Sequence, residues 1–164
     1  MSFTTADLCD AYADRVQVFE PLFSNFGGAS RFYGRAVTLK VFEDNSLVRA
    51  ALETPGHDQV LVIDGGGSLR CALVGDQLAE LAVRNGWAGL LVHGCIRDSA
   101  AMADMPISVQ ALGTHPLKSI KRGEGQRDIP VQMAGVVIPP GAWVYADDDG
   151  ILVAATALPL NAPD

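Results

Sequence analysis

Residues 75–98 read Gly75-Asp76-Gln77-Leu78-Ala79-Glu80-Leu81-Ala82-Val83-Arg84-Asn85-Gly86-Trp87-Ala88-Gly89-Leu90-Leu91-Val92-His93-Gly94-Cys95-Ile96-Arg97-Asp98. Leu78, Leu81 and Ala82 recur at helical spacing and Gly86 supplies a stop, so this stretch predicts a helix starting at Asp76. Gly89-Leu90-Leu91-Val92 then reads as a short buried strand running out to Arg97-Asp98. Such a unit can bring the helix N-terminus close to the C-terminal end of the strand. Two carboxylates and one guanidinium then meet where the helix presents its positive end. That combination suits a small, doubly oxygenated anion, with one carboxylate free to hold a metal. Two plainer uses compete. Asp76 could be a simple N-cap, and Arg97-Asp98 an ion pair or loop anchor.

Working outward, Gln59-Val60-Leu61-Val62-Ile63 is a near-continuous apolar run, as expected of a strand covered on both faces. Asp64-Gly65-Gly66-Gly67-Ser68 follows it. The glycines permit close backbone approach, for packing or for a ligand, but they match neither a dinucleotide fingerprint nor a P-loop. Thr4 or Thr5 caps a first helix through Leu8, Cys9, Ala11 and Tyr12. Phe23 to Gly28 reads as a loop, Arg35 to Phe42 as a strand, and Asn45 or Ser46 opens a helix stopped by Pro55-Gly56. Ile107 to Leu112 is an alternating strand. Val131 to Ile138, Trp143 to Ala146 and Ile151 to Val153 are short strands, parted by Pro139-Pro140-Gly141 and by Asp147-Asp148-Asp149-Gly150. Asp-Gly between apolar runs is a hairpin signal. The pattern predicts an α/β fold in one domain over residues 1–164, with a mixed sheet, helices on one side and hairpins at the C-terminal end.

Composition narrows the function classes. The chain has 164 residues, 49% hydrophobic and 19% charged, enough for a full core. No apolar run is long enough to span a bilayer and no signal peptide is visible, so a cytoplasmic protein is expected. Cys9, Cys71 and Cys95 are too widely spaced for a metal knuckle and read as free thiols. A formal charge of −7 argues against direct nucleic-acid binding and favours basic protein segments as partners. The local exception, His115-Pro116-Leu117-Lys118-Ser119-Ile120-Lys121-Arg122-Gly123, reads as a solvated basic loop.

Several stretches together carry a family likeness. They are Asp7-Leu8-Cys9-Asp10, Glu20 to Gly28, Phe42-Glu43-Asp44-Asn45, Val62 to Ser68, Asn85 to Gly89, His93 to Asp98, and Tyr145-Ala146-Asp147 with Asp149-Gly150. Through them the chain resembles the RraA-like family over nearly its whole length. That family contains the regulator of ribonuclease activity A and the class II 4-hydroxy-4-methyl-2-oxoglutarate aldolases.

The resemblance implies a swivelling β/β/α domain and a ring-shaped homotrimer. The aldolase pattern is an acid, twenty residues, Arg-Asp, two residues and a further acid. Asp76 and Arg97-Asp98 fit it, while Ala101 stands where the last acid belongs. By resemblance Asp98 would ligate Mg²⁺ or Mn²⁺, and Arg97 would stabilise the enolate oxyanion. The amides of Gln77 and Leu78 would hold a substrate carboxylate, Gly75 would give the backbone room, and Asp76 would act as base through a water. The small 2-oxo acid would be cleaved to two pyruvates, with oxaloacetate decarboxylation as a side activity. The alternative is a non-catalytic inhibitor binding an endoribonuclease such as RNase E.

Overall fold

Helix α1 (Thr5–Tyr12) begins where Thr4 Oγ1 accepts the Asp7 N–H at 3.1 Å. Beyond it come β1 (Val16–Val18), β2 (Ser24–Asn25), the long β3 (Phe32–Lys40), α2 (Ser46–Leu52) and β4 (Val60–Asp64). The chain continues through β5 (Ala72–Val74), α3 (Asp76–Arg84), β6 (Gly89–Ile96), α4 (Ser99–Met102) and β7 (Ser108–Thr114). It closes with β8 (Gln126–Arg127), β9 (Val131–Met133), β10 (Val136–Ile138), β11 (Trp143–Ala146) and β12 (Ile151–Ala154). This computed structural model describes residues 2–160.

The main sheet runs β1-β12-β11-β3-β4-β6-β7-β2, with β5 added along β6 and β8 along β3. Strands β3, β4, β6 and β7 are mutually parallel, and β11, β12, β1 and β2 join antiparallel. All five residues of β4 are buried, as the apolar run predicts. Alternation then decides which layer each side chain joins. Leu61 and Ile63 pack with Leu39, Leu90 and Val92 against Val48, Leu52, Leu78, Ala82 and Met102 of α2, α3 and α4. Val60 and Val62 point the other way, into Val131, Met133, Val136, Ile138 and Val144. Each fully buried aliphatic side chain here stabilises the fold by roughly 1.5–3 kcal/mol. Three helices therefore cover one side of the sheet. The fourth, α1, seals the outer face of β11 and β12 through Leu8, Tyr145 and Leu152.

Four local features differ from expectation. Strand β3 starts at Phe32 rather than Arg35, because antiparallel pairing with β11 sets Phe32 opposite Ala146 and Tyr33 opposite Tyr145. It ends at Lys40, leaving Phe42 60% exposed. Ser24–Asn25, expected as loop, pairs with Ala111 and Gln110 of β7, and Asn25 Oδ1 takes the N–H groups of Gly27 and Val109. Val131 to Ile138 is two strands, not one. Ala134 (φ 49°) and Gly135 (φ 77°) both lie in the left-handed region and turn the chain back, so that Val136 faces Met133. The Asp147–Gly150 turn is as expected, joining β11 to β12 with Ala146 opposite Ile151.

Candidate active site

The start of α3 and the segment after β6 meet because β5, which leads into α3, pairs with the far end of β6. Val74 lies opposite Ile96, and the Arg97 N–H donates to Val74 O at 2.9 Å. Gly75, not Asp76, is the N-cap of α3, and it makes no side-chain cap. The Asp76 N–H donates to Asp98 Oδ2 at 3.1 Å, and the Gln77 N–H to Asp76 Oδ1 at 2.8 Å. Gln77's amide is thus engaged locally. Among the described residues the Leu78 N–H has no protein acceptor, as is usual in the first turn of a helix. Asp98 sits at φ 60°, ψ 40°, a left-handed conformation that Asp tolerates better than most residues. A Cβ on Gly75 would stand 2.8 Å from Asp98 Oδ2, so only glycine leaves the carboxylate this place.

A pocket of about 140 Å³ opens over this corner. All six sequence-derived residues, Gly75, Asp76, Gln77, Leu78, Arg97 and Asp98, line it together. Sequence reasoning missed Asn45, Arg49, Lys118 and Lys121, which with Ala72, Leu73 and Ser119 complete its wall. Lys118 and Lys121 belong to the basic loop, so that loop is more than a solvated face. Its cations were visible in sequence as a cluster, but what they would face was not.

Asn45 was expected as a possible cap for α2, and its side chain makes no cap bond. Nδ2 instead donates to Leu73 O at 3.1 Å, which fixes the amide orientation and leaves Oδ1 buried without a partner. An orphaned buried acceptor on the wall of a polar pocket is suited to a ligand hydroxyl. Ala101 is exposed on α4 and lies outside the lining.

Four cations and two carboxylates line the pocket, a surplus of two positive charges in a chain of formal charge −7. Among the described residues, no cation forms an ion pair with Asp76 or Asp98. The Arg97 guanidinium, among the described residues, hydrogen-bonds only Pro116 O, through Nη1 at 3.4 Å. The ion-pair reading of Arg97-Asp98 therefore does not hold. Groups of opposite sign held apart around one space are arranged for an occupant.

The carboxylates also fit a hard divalent cation, loosely held. Among the described residues, no group of three or more His, Cys, Asp or Glu forms a metal cage. Mg²⁺ and Mn²⁺ accept one or two carboxylates with water and ligand oxygens making up the rest.

One neighbouring carboxylate has a structural task. Asp44 Oδ1 accepts from the Ser46 N–H at 2.9 Å and its Oγ at 2.6 Å, taking the capping role that Asn45 leaves open. Its Oδ2 accepts from Arg122 N–H at 2.8 Å and Glu124 N–H at 3.1 Å. Burial opposes its charge, but these bonds outweigh burial and hold its pKa at about 2, against an ordinary 3.8. A carboxyl with a folded pKa below its unfolded one stabilises the fold above the unfolded value. That stabilisation is lost as pH falls from about 4 toward 2. Asp44→Asn is expected to cost roughly 1–3 kcal/mol at neutral pH, through N–H groups left short of an acceptor. In urea melts the gap between variant and parent should close across that acid window.

Comparison with known proteins identifies the family. The profile of the RraA-like family, described as Aldolase/RraA, matches residues 5–153. A Laribacter hongkongensis protein provisionally named 4-hydroxy-4-methyl-2-oxoglutarate aldolase is 58% identical, covering 96% of this chain and 99% of its own. An Aromatoleum aromaticum protein with the same provisional name is 60% identical over the same shares. Among solved structures, the RNA-processing inhibitor RraA from Thermus thermophilis superposes with a TM-score of 0.93 at 46% identity, covering 97% of this chain and 96% of that one. A Geobacillus kaustophilus structure described as an S-adenosylmethionine: 2-dimethylmenaquinone methyltransferase gives 0.92 at 53%, covering 95% and 97%. With its β/β/α layers and its full-length relatives in agreement, the chain belongs to the RraA-like family.

Proposed function

We propose that this protein is a divalent-metal aldolase that cleaves 4-hydroxy-4-methyl-2-oxoglutarate to two pyruvates, with oxaloacetate decarboxylation as a side activity. The observation that carries the reading is the 140 Å³ pocket, in which unpaired acids and a surplus of two positive charges face one another. A compact dicarboxylate matches both its size and its sign. The provisional aldolase names of relatives at 58–60% identity support the same choice of substrate.

Mg²⁺ or Mn²⁺, held by Asp98 together with water and substrate oxygens, would supply Lewis-acid polarisation of the 2-oxo group. The protein's own groups do the rest. The free Leu78 N–H and the positive end of α3 hold the carboxylate next to the 2-oxo carbon. Asp76 takes the proton of the 4-hydroxyl through a water, whose second proton is accepted by Asn45 Oδ1. The C3–C4 bond then breaks, its electron pair passing into the 2-oxo group as an enolate. Arg97 donates to the enolate oxygen. Asp76 returns the proton to C3, and both fragments leave as pyruvate. Lys118, Lys121 and Arg49 offset the charge of the remote carboxylate.

The deciding experiment measures pyruvate release from 4-hydroxy-4-methyl-2-oxoglutarate and from oxaloacetate, first with Mg²⁺ and then with EDTA. Release is expected only with metal, and full activity in excess EDTA would remove Asp98 from its role. Gly75→Ala supplies a second check. Its φ of −122° suits alanine, so any loss comes from the new methyl displacing Asp98. Activity is expected to fall by about 10–100-fold with the melting temperature nearly unchanged.

The protein is also expected to act in the cytoplasm as a homotrimer. Phe42, Leu117 and Ile120, 59–64% exposed, line a concavity that shares Lys118 and Ser119 with the pocket, and a neighbouring subunit would cover them. Light scattering that gives a monomer at working concentration would exclude the trimer. The second reading, a ribonuclease regulator, is favoured by the likeness to the RNA-processing inhibitor RraA and by the −7 charge. It wins if no 2-oxo acid is turned over and the chain binds and inhibits an endoribonuclease.

A further inference from the structure

The segment from His115 to Gly125 carries two of the pocket's cations, yet it has no regular structure beyond one bridge, and most of its residues are exposed. Lys118 is tied to the sheet by that bridge, which pairs it with Ala72. Lys121 has no such tie. The bonds that hold its backbone neighbours all run to residues 43–46. Ile120 N–H donates to Glu43 O at 3.3 Å, Gly123 N–H to Ser46 Oγ at 3.1 Å, and Ser119 Oγ accepts from Asn45 N–H at 3.1 Å. At the centre of this clamp is Asp44, 3% exposed, with one carboxylate oxygen on the start of α2 and the other on Arg122 and Glu124.

From this geometry we infer that Asp44 is a positioning residue for substrate recognition, fixing Lys121 over the pocket. It does not line the pocket and touches no reacting atom. Its bonds end on the backbone on either side of α2's first turn and the loop, so one carboxylate sets the spacing between Asn45 and Lys121. Lysine carries a flexible, mobile charge, and only a fixed backbone aims it at one spot. This inference rests on the proposed reading of the pocket as a dianion site and names the device that gives it preference for dianions. A monoanion held only at Arg97 and the start of α3 does not sense the clamp.

The test is a double-mutant cycle on Asp44→Asn and Lys121→Ala. Each alone is expected to raise KM for the dianionic 2-oxo acid about tenfold with kcat within about twofold, the scale of one charge-assisted contact. Together they should be no worse than Lys121→Ala alone, because residues acting through one another are not additive. Competitive inhibition by pyruvate, a monoanion, should be unchanged in Asp44→Asn. Hydrogen exchange at the amides of Arg122 and Glu124 should speed up in that variant and report the opened clamp directly. If Asp44→Asn fails to fold, Ser46→Ala removes the Gly123 contact and the Oγ bond to Asp44 Oδ1, leaves the Asp44 Oδ2 bonds to Arg122 and Glu124 in place, and should shift KM the same way by less.

An unchanged KM in Asp44→Asn, or KM effects that multiply fully in the double variant, overturns the inference. If the parent turns over no 2-oxo acid, the cycle is read from 2-oxoglutarate binding by calorimetry. A binding cycle with the same non-additivity then sinks the aldolase reading and keeps the clamp. A parent that does not bind 2-oxoglutarate sinks both.

Discussion

Arg97→Lys is expected to lose roughly 10²–10³ in kcat for cleavage of the 2-oxo acid, the usual cost of removing one well-aimed oxyanion donor. Charge is preserved in this variant, so the loss isolates geometry. The guanidinium is a planar fork of donors, whereas an ammonium is a point charge on a flexible stem. The backbone of Arg97 is fixed by its N–H bond to Val74 O, which does not depend on the side chain. Among the described residues, the only hydrogen bond of the guanidinium is the 3.4 Å bond to Pro116 O on an exposed loop. Stability should therefore change by less than about 0.5 kcal/mol. Steady-state kinetics with a thermal melt on the same preparation check both halves. Parent-like turnover by the variant would remove Arg97 from the chemistry.

If Asp98 holds the cation as proposed, Asp98→Asn is expected to abolish more than about 99% of turnover. Asparagine is the informative replacement. It tolerates the left-handed backbone at φ 60° and can still accept the Asp76 N–H, so the corner keeps its shape while losing its charge. Chelation of the parent should reproduce the defect. Direct titration with Mn²⁺, followed by electron paramagnetic resonance, should show the variant failing to bind. Undiminished Mn²⁺ binding by the variant would move the metal away from Asp98.

Much of the fold could be read from sequence because its elements carry strong periodic signals. The run at β4 is apolar throughout, α3 shows helical spacing with a glycine stop, and the Asp147–Gly150 turn announces a hairpin. The elements that escaped are short and gain their identity only from partners. Strands β2 and β8 have two residues each, and β1 and β5 three. Asn25 is strand only because β7 lies beside it. The split at Ala134 was hidden because alanine rarely marks a left-handed turn. At the site, Asp76, Arg97 and Asp98 were legible because they sit at the ends of one helix–strand unit. Asn45, Arg49, Lys118 and Lys121 come from segments far away in sequence, and only the parallel sheet brings them within reach of it.

That sheet also governs when the site comes into being. Val60 pairs with Gly89, and Gly89 with Ser108, so each parallel neighbour closes a long intervening stretch of chain before any ladder bond rewards it. Such non-local pairing is slow relative to helix or hairpin formation. The pocket draws on residues near 45, 76 and 98, one patch from each parallel crossover, and on the loop near 121 that follows β7. No fragment that ends before residue 121 can hold the whole of it. Recovery of the complete pocket on refolding is therefore tied to closure of the parallel strands, and the nascent chain lacks part of it until residue 121 has emerged.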